Sequence, residues 1–366
     1  MNTAASFQGS RGIDVMKKNK IGRIIGILLA VIIIAVLAVC AIWHRAAFAV
    51  FKNLTVQKYD MDESTDWDGG KSYLKVPYAE ESGNQYLDLY VPDTEDGSLP
   101  QLYVIIHGGG FIANDSQSRQ AQLMYRYFRD HGYACATINY RLAQEEPFPG
   151  ALCDCKTAIR FLRAHAGEYG YDAEKIPVFG ESAGGYLAIM CSVTNEEEFN
   201  DIPFIDQDML GNFSSKVDLL VDYYGVCDQL STAEQWKELG IPDVVFDIAN
   251  GWIEGENLQG FEDIHSFWFR KNVTEMTKEE YDRTNPVYYV EKNDLEGLST
   301  WIIHGDCDIT VPYLQSSVLA EKLSEKNGAE SVRYHLIPGM GHASDPLYSD
   351  ALLGELDAFM QEKLKQ

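Results

Sequence analysis

Basic residues are few in this chain of 366 residues, which holds 30 Lys and Arg against 55 Asp and Glu and has a formal net charge of -25. Proteins that bind nucleic acids cluster Lys and Arg against phosphates, so this charge balance argues against that class. Internal repeats and low-complexity tracts are absent as well. Because hydrophobic residues make up 46% of the chain, the composition excludes a disordered or collagen-like protein and indicates a globular one with an ample core.

Cysteine is also sparse, with seven residues in the chain. Two of them, Cys153 and Cys155, are separated by one residue on a predicted helix, which is too close for an easy disulfide or for a zinc site. The others lie in apolar stretches or near the ends of predicted strands: Cys40, Cys135, Cys191, Cys227 and Cys307. We therefore expect small buried side chains rather than a disulfide framework, and no metal site is predicted.

One long apolar run is present, at residues 24–43 (IIGILLAVIIIAVLAVCAIW), and it holds no charged residue. As a helix rising about 1.5 Å per residue it would span about 30 Å, the thickness of a bilayer hydrocarbon core. Five Lys and Arg precede this run and three follow it closely. The positive-inside rule therefore predicts a basic cytoplasmic N-terminus at 1–23, a transmembrane anchor at 24–43, and a body outside the cytoplasm.

A cleaved signal peptide is the alternative to an anchor. The apolar run is longer than the 7–15 residues of a typical signal sequence, but a small-x-small cleavage pattern does occur at residues 47–49 (AFA). We favour the uncleaved anchor, and secretion after cleavage stays open. Met16, followed by KKNK, would also make a plausible start. In either case the charge is divided, because residues 1–45 carry +5 and the remainder carries -30.

After a linker at 44–70, the pattern predicts an α/β domain over 71–366. Two alternating runs at 73–78 and 86–91 indicate antiparallel strands, after which apolar strands alternate with helices. This alternation is typical of a mostly parallel central sheet with helices on both faces. The further predicted strands are 102–106, 134–138, 176–179, 217–224, 300–303 and 332–337, and the predicted helices are 121–128, 155–166, 183–191, 313–326 and a last one through Leu352 to Leu364.

Residues 228–290 interrupt this rhythm with a long, acidic and aromatic stretch. A connection of this length is usually a functional insertion, and we interpret it as a helical cap over the carboxyl edge of the sheet. A peripheral packing subdomain is the alternative.

Residues 180–184 (GESAG) fit the pattern G-x-S-x-G between a predicted strand and a predicted helix. That context is typical of a nucleophile elbow, in which the two glycines leave room for a tight turn and Ser182 is exposed at a helix N-terminus. The alternative role for Ser182 is a plain helix N-cap. The signal is strong because the motif and its flanking elements agree.

Residues 107–111 (HGGGF) follow the apolar strand at 102–106. Glycines let backbone N–H groups approach a ligand closely, so Gly109 and Gly110 are expected to form an oxyanion hole together with the N–H of Ala183. The alternative is a flexible turn. We also expect Phe111 and Glu181, which adjoin these groups in the chain, to contact the substrate.

A general base and an acid are expected where two later strands end. The first of these strands is followed by Asp306 and Asp308, and the second is followed by His342. We expect His342 to take the proton from Ser182 while its other ring nitrogen donates to a carboxylate that sets the tautomer. Either aspartate would serve as this carboxylate, and His304 and His107 are expected to serve in packing and turns.

From about residue 85 to 366 the chain resembles the α/β-hydrolases of the hormone-sensitive-lipase-like and bacterial carboxylesterase group. The resemblance rests on the ordered motifs HGGGF (107–111), NYRL (139–142), FP (148–149), YGYD (169–172) and GESAGG (180–185). It implies an α/β-hydrolase fold, a Ser182–Asp308–His342 triad in that chain order, and an Arg141–Asp154 pair. Asp308 is preferred over Asp306 because it fits the pattern D-x-x-V-P of this group. The insertion departs from the lipase-like pattern, since it lies between the sixth and seventh predicted strands.

These features together predict a membrane-anchored carboxylesterase that acts on small or medium esters, such as short-chain acyl or acetyl esters, through a covalent Ser182 ester. The predicted partners are an ester substrate and a membrane, and no metal or cofactor is needed. A peptidase or amidase of the same fold is the alternative, although no propeller-sized domain accompanies the chain. A non-catalytic binding module is a remote third possibility, because all three triad residues are present.

Overall fold

The computed structural model describes residues 31, 32, 67–199, 212–242 and 260–365. The described residues form one eight-stranded sheet, with strands β1 (Gly70–Pro77), β2 (Tyr86–Pro92), β3 (Leu102–Ile106), β4 (Ala134–Ile138), β5 (Pro177–Glu181), β6 (Leu219–Tyr223), β7 (Ser299–Gly305) and β8 (Val332–Ile337).

The helices of this described part lie between and after the strands. They are α1 (Arg119–Asp130), α2 (Gly150–Ala164), α3 (Ala166–Tyr169), α4 (Ala183–Val193), α5 (Thr232–Glu238), α6 (Ile264–Phe269), α7 (Lys278–Thr284), α8 (Pro286–Lys292), α9 (Leu314–Asn327) and α10 (Asp350–Leu364), with 3₁₀ turns at Val273–Glu275, Ala329–Ser331 and Asp345–Tyr348.

The strand order is β1-β2-β4-β3-β5-β6-β7-β8. Strand β2 pairs antiparallel with β1 and β4, and every later neighbouring pair is parallel. The predicted antiparallel pair followed by a mostly parallel sheet is therefore confirmed. Parallel order also brings the carboxyl ends of β3, β5, β7 and β8 to one edge of the sheet, where loops that follow the strands can meet.

Two apolar cores cover the two faces of the sheet. In β3, Leu102, Val104 and Ile106 belong to one core, and Tyr103 and Ile105 belong to the other, because successive side chains point to opposite faces. Helices α2, α4 and α9 pack in the first core, and α1 and α10 pack in the second. Burial on both faces explains why β3 consists only of apolar residues.

Helices α5 to α8 lie between β6 and β7, within the segment predicted as a cap. Residues 243–259 of that segment lie outside the described residues. In α6, Phe267 and Trp268 are fully buried and belong to the first core, and the backbone N–H of Phe148 donates to the Trp268 carbonyl at 3.0 Å. Aromatic residues therefore attach this segment to the body of the domain.

The predicted membrane segment at 24–43 lies outside the described residues, except for Val31 and Ile32, which are helical. Over the described ranges, we find no helix that combines the length and apolarity needed to cross a membrane. The six described cysteines are buried and form no disulfide with one another, as expected for small apolar side chains, and Cys40 is not among the described residues.

Candidate active site

Ser182 occupies a tight turn between β5 and α4. Its backbone has φ 54° and ψ -118°, a strained conformation for a residue with a side chain. The flanking glycines are required by contact: a Cβ on Gly180 would lie 2.0 Å from the Gly184 carbonyl oxygen, and one on Gly184 would lie 2.3 Å from the Ile106 carbonyl oxygen. The pattern G-x-S-x-G is thus explained by the close approach of residues 180 and 184 within the turn and by the packing of Gly184 against the end of β3.

The structure brings Ser182, His342 and Asp308 into one hydrogen-bonded chain, although Ser182 and His342 are 160 residues apart. His342 Nε2 lies 3.0 Å from Ser182 Oγ, and His342 Nδ1 lies 2.7 Å from Asp308 Oδ2. A carboxylate only accepts, so Nδ1 carries the proton and Nε2 has a free lone pair for the serine proton. This geometry is suited to general-base activation of Ser182.

Asp308 is buried and accepts hydrogen bonds at both carboxylate oxygens. Oδ1 accepts from the backbone N–H groups of Thr310 at 2.8 Å and Val311 at 2.9 Å, while Oδ2 accepts from the histidines. Burial alone would raise the pKa of Asp308, but the charge of His342 and the hydrogen bonds from His304 and His342 outweigh it and lower that pKa. Asp308 is therefore held as an anion.

Asp306, the other candidate for the acid, lies outside this chain of hydrogen bonds. Its side chain is exposed, and Oδ1 accepts from the Gly339 backbone N–H at 2.6 Å. It supports the turn after β8 and does not contact His342 through any hydrogen bond among the described residues.

His304 is a functional contact that sequence reasoning missed. It was expected to serve in packing, and it is fully buried, but its Nε2 lies 3.1 Å from Asp308 Oδ2 and 3.1 Å from the Val311 carbonyl oxygen. Both of these groups accept, so Nε2 carries the proton, and Nδ1 can accept from the Ser316 hydroxyl at 2.8 Å. His304 thus gives Asp308 a second imidazole donor. The only available signal was its place at the end of β7, four residues before Asp308.

His342 has a raised pKa. Burial lowers it, but the negative charge of Asp308, the hydrogen bond to Asp308 and the charge of Glu181 together raise it above 6.5.

His107 behaves as expected for a packing residue: it stacks on Tyr140, and burial lowers its pKa to about 4.

The glycine loop after β3 lies beside the nucleophile. Gly109 and Gly110 have φ of 113° and 62°, which favour glycine, and they line the same cavity as Ser182 and Ala183. Ala183 is the first residue of α4, and N–H groups in a first helical turn have no partner within the helix. The predicted oxyanion donors are therefore brought together next to Ser182.

Glu181 connects this loop to the nucleophile. The Gly108 backbone N–H donates to Glu181 Oε1 at 2.6 Å, and the side chain is buried. Burial raises the pKa of Glu181 to about 7, and the hydrogen bond from Gly108, the charge of His342 and a hydrogen bond from Tyr224 act against that rise. Glu181 was predicted to contact the substrate; it does line the cavity, but one of its oxygens is used to hold the oxyanion loop.

A cavity of about 450 Å³ opens at Ser182 and His342. Phe111 lines it and is buried, with its ring stacked on Trp268 at a centroid distance of 3.7 Å. The volume of the cavity falls within the range of about 300–1,000 Å³ that is typical of small-molecule sites. The remaining lining combines apolar and polar side chains: Ile112, Ala113, Asn114, Gln120, Val226, Gln229, Thr232, Asp263, Ile264, His265, Thr310, Val311, Pro312 and Ala343.

The structure confirms the Arg141–Asp154 pair that the resemblance implied. Both side chains are buried, Arg141 Nη2 lies 2.6 Å from Asp154 Oδ1, and Nε lies 2.9 Å from Oδ2. Across the described ranges, no group of three or more His, Cys, Asp or Glu side chains is arranged to hold a metal ion.

The chain is similar in sequence to curated esterases and lipases. Esterase LipQ of Mycobacterium tuberculosis is 25% identical over 272 residues, which cover 74% of this chain and 56% of LipQ. Human hormone-sensitive lipase is 33% identical over 129 residues, or 35% of this chain and 11% of that protein. The chain thus spans little more than half the length of LipQ and a small part of the lipase.

Solved structures support the same fold. A truncated carbohydrate esterase from gut microbiota superposes with a TM-score of 0.64 at 24% identity, covering 82% of this chain and 98% of that one. The resemblance to the hormone-sensitive-lipase-like and bacterial carboxylesterase group, and its α/β-hydrolase fold, are therefore confirmed. The family model named BD-FAE matches residues 87–323, and the chain belongs to the BD-FAE family.

Proposed function

We propose that this protein is a serine hydrolase that cleaves carboxylic esters of small or medium substrates, with short acyl or acetyl groups. The observation that carries the proposal is the Ser182–His342–Asp308 chain at a cavity beside the glycine loop. The esterases among its relatives and structural neighbours support this activity.

The first half of the reaction forms an acyl-enzyme. Ser182 Oγ attacks the ester carbonyl carbon while His342 Nε2 takes the hydroxyl proton, and the carbonyl oxygen becomes an oxyanion. Backbone N–H groups of Gly109, Gly110 and Ala183 donate to that oxyanion. Collapse breaks the bond to the leaving alcohol, and His342 returns the proton to the alcohol oxygen.

The second half releases the acid. Water gives a proton to His342 Nε2 and attacks the acyl carbon, and the Ser182 oxygen leaves with the proton. Asp308 stays ionised throughout and stabilises the imidazolium, because its four donors favour the charged form.

We further propose that residues 24–43 anchor the enzyme in the membrane, with 1–23 in the cytoplasm and the catalytic domain outside. The support is the uncharged twenty-residue run and the basic residues before it. Fractionation and protease protection of cells that express the full chain test this. A full-length, membrane-bound chain whose catalytic domain is cut from outside is expected. A shortened chain in the medium would instead favour signal cleavage.

Activity is tested with the full chain in detergent and with Ser182→Ala as the paired variant. The wild type should hydrolyse 4-nitrophenyl butyrate and react with a fluorophosphonate probe, and Ser182→Ala should do neither while keeping the wild-type circular dichroism spectrum. Equal hydrolysis by the variant would refute the role of Ser182. Matched ester and amide substrates separate an esterase from a peptidase, and an unlabelled wild type would indicate a non-catalytic module.

A further inference from the structure

The side chain of Gln229, in the catalytic cavity, has no hydrogen-bond partner among the residues that the structure describes. Gln229 follows β6, lines the cavity, and is only 8% exposed. Among the described residues that line this cavity, Gln229 is the one whose buried polar side-chain atoms have no hydrogen-bond partner, and this holds for both Oε1 and Nε2. A buried amide without partners destabilises the empty cavity, because the amide has left water without gaining a replacement hydrogen bond.

Neighbouring glutamines show that partners are available in this region. Gln315 Nε2 donates to Gln235 Oε1 at 2.8 Å, and Gln235 Nε2 donates to the Ser231 hydroxyl at 3.0 Å. Gln315 Oε1 accepts from two backbone N–H groups, those of Cys227 at 2.9 Å and Asp228 at 2.7 Å. The side chains of Gln315 and Gln235 are thus hydrogen-bonded within the protein, whereas the Gln229 side chain at the cavity has no partner among the described residues.

The backbone on both sides of Gln229 is held in place. Before it, Gln315 contacts the Asp228 backbone at both its N–H and its carbonyl, at 2.7 and 2.8 Å. After it, the Leu230 N–H donates to the Tyr281 hydroxyl at 3.2 Å, and that hydroxyl donates to the Asp228 carboxylate. The Gln229 side chain therefore extends from a segment whose backbone is already fixed. Binding a ligand there costs little free energy for ordering the loop.

We propose that Gln229 is a specificity-determining residue that binds a hydroxyl group carried by the ester substrate. A hydroxyl can donate a hydrogen bond to Oε1 and accept one from Nε2, so one substrate group satisfies both amide atoms. The cavity wall also holds the carboxyl group of Asp263, which disfavours an anionic substrate. The favoured class is a neutral, hydroxylated ester, and this proposal rests on the proposed esterase function.

The test compares matched esters that differ by one hydroxyl. Cyclohexyl acetate is paired with 1,2-cyclohexanediol monoacetate, which places the hydroxyl on the alcohol side. 4-Nitrophenyl butyrate is paired with 4-nitrophenyl 3-hydroxybutyrate, which places it on the acyl side. In at least one pair, Gln229→Leu should lower kcat/KM for the hydroxylated ester tenfold or more relative to its alkyl partner. Since one hydrogen bond of about 1.4 kcal/mol corresponds to tenfold, this is the effect of losing one such contact.

Stability supplies the second readout. Gln229→Leu replaces an unsatisfied amide by an apolar side chain of similar size, so its Tm should not fall below that of the wild type. Gln235→Leu removes a partner from Gln315 and should lower the Tm. Equal effects on both members of both pairs, or a large Tm loss in Gln229→Leu, would overturn the proposal. If the wild type hydrolyses no ester at all, the proposed function itself fails, and the wild-type assay alone reveals this.

Discussion

Glu181 lies one residue before the nucleophile, and its ionisation should oppose folding. Burial raises the pKa of its carboxyl from 4.5 to about 7. The folded protein therefore keeps this proton up to about pH 7, whereas the unfolded chain releases it near pH 4.5. The contribution of Glu181 to the free energy of unfolding is fully present below pH 4.5 and is lost as the pH rises to about 7. At about 1.4 kcal/mol per pKa unit, the loss is about 3 kcal/mol.

Glu181→Gln removes this loss because an amide does not ionise, and its side-chain oxygen can still accept from the Gly108 N–H. The free energy of unfolding of the variant, relative to the wild type, should rise by about 3 kcal/mol between pH 4.5 and pH 8. Urea unfolding of the full chain in detergent, at several pH values across this range, measures the difference. A constant gap between the two proteins at every pH would refute the reasoning.

Asp222→Asn supplies the matched control. Burial raises the pKa of Asp222 to about 7 as well, but Asp222 lies outside the residues that line the catalytic cavity. For both variants, the free energy of unfolding relative to the wild type should increase as the pH rises, whereas only Glu181→Gln should alter the pH–rate profile. The charge of Glu181 raises the pKa of His342, so its removal should move the acid limb of kcat/KM to lower pH. A shift of equal size in Asp222→Asn would mean that the limb does not report this contact.

Two further predictions concern the acid and the turn. Asp308→Asn should lower kcat on 4-nitrophenyl butyrate by about 10³–10⁴-fold, because His342 loses the acceptor that sets its tautomer. The kcat of Asp306→Asn should stay within about threefold of the wild type. The reverse order of the two losses would assign the acid role to Asp306. Gly184→Ala should abolish activity and lower the Tm, because its Cβ would lie 2.3 Å from the Ile106 carbonyl oxygen; a wild-type Tm would contradict the close packing of the turn against β3.

Much of the sheet was predictable because burial on both faces leaves mostly apolar residues in its inner strands, such as β3 and β4. The predicted bounds 102–106, 134–138 and 332–337 coincide with β3, β4 and β8. Helix α2 was predicted to begin at 155 but begins at Gly150, directly after Pro149. Amphipathic periodicity identifies the middle of such a helix, but its first turn is determined by where the chain reverses against the sheet.

The candidate site was predictable where backbone geometry restricts the residue type. The turn needs glycine at 180 because that residue touches Gly184, and glycine at 184 because that residue touches the end of β3, so the motif itself predicts the turn. The roles of His304, Glu181 and Gln229 could not be predicted in the same way. Each depends on which side chains meet across distant segments, and a polar side chain at a strand end or in a loop has many possible partners.

The position of β8 has a consequence for how the enzyme loses activity. In the sheet formed by the described residues, β8 is an edge strand that pairs with β7, several of its side chains are partly exposed, and the turn after it carries His342. Edge strands detach in local openings that cost less than global unfolding. Such an opening would withdraw the base from Ser182 while the inner strands stay paired. Inactivation by heat or denaturant should therefore precede the loss of secondary structure, so that residual activity reports the attachment of this last strand.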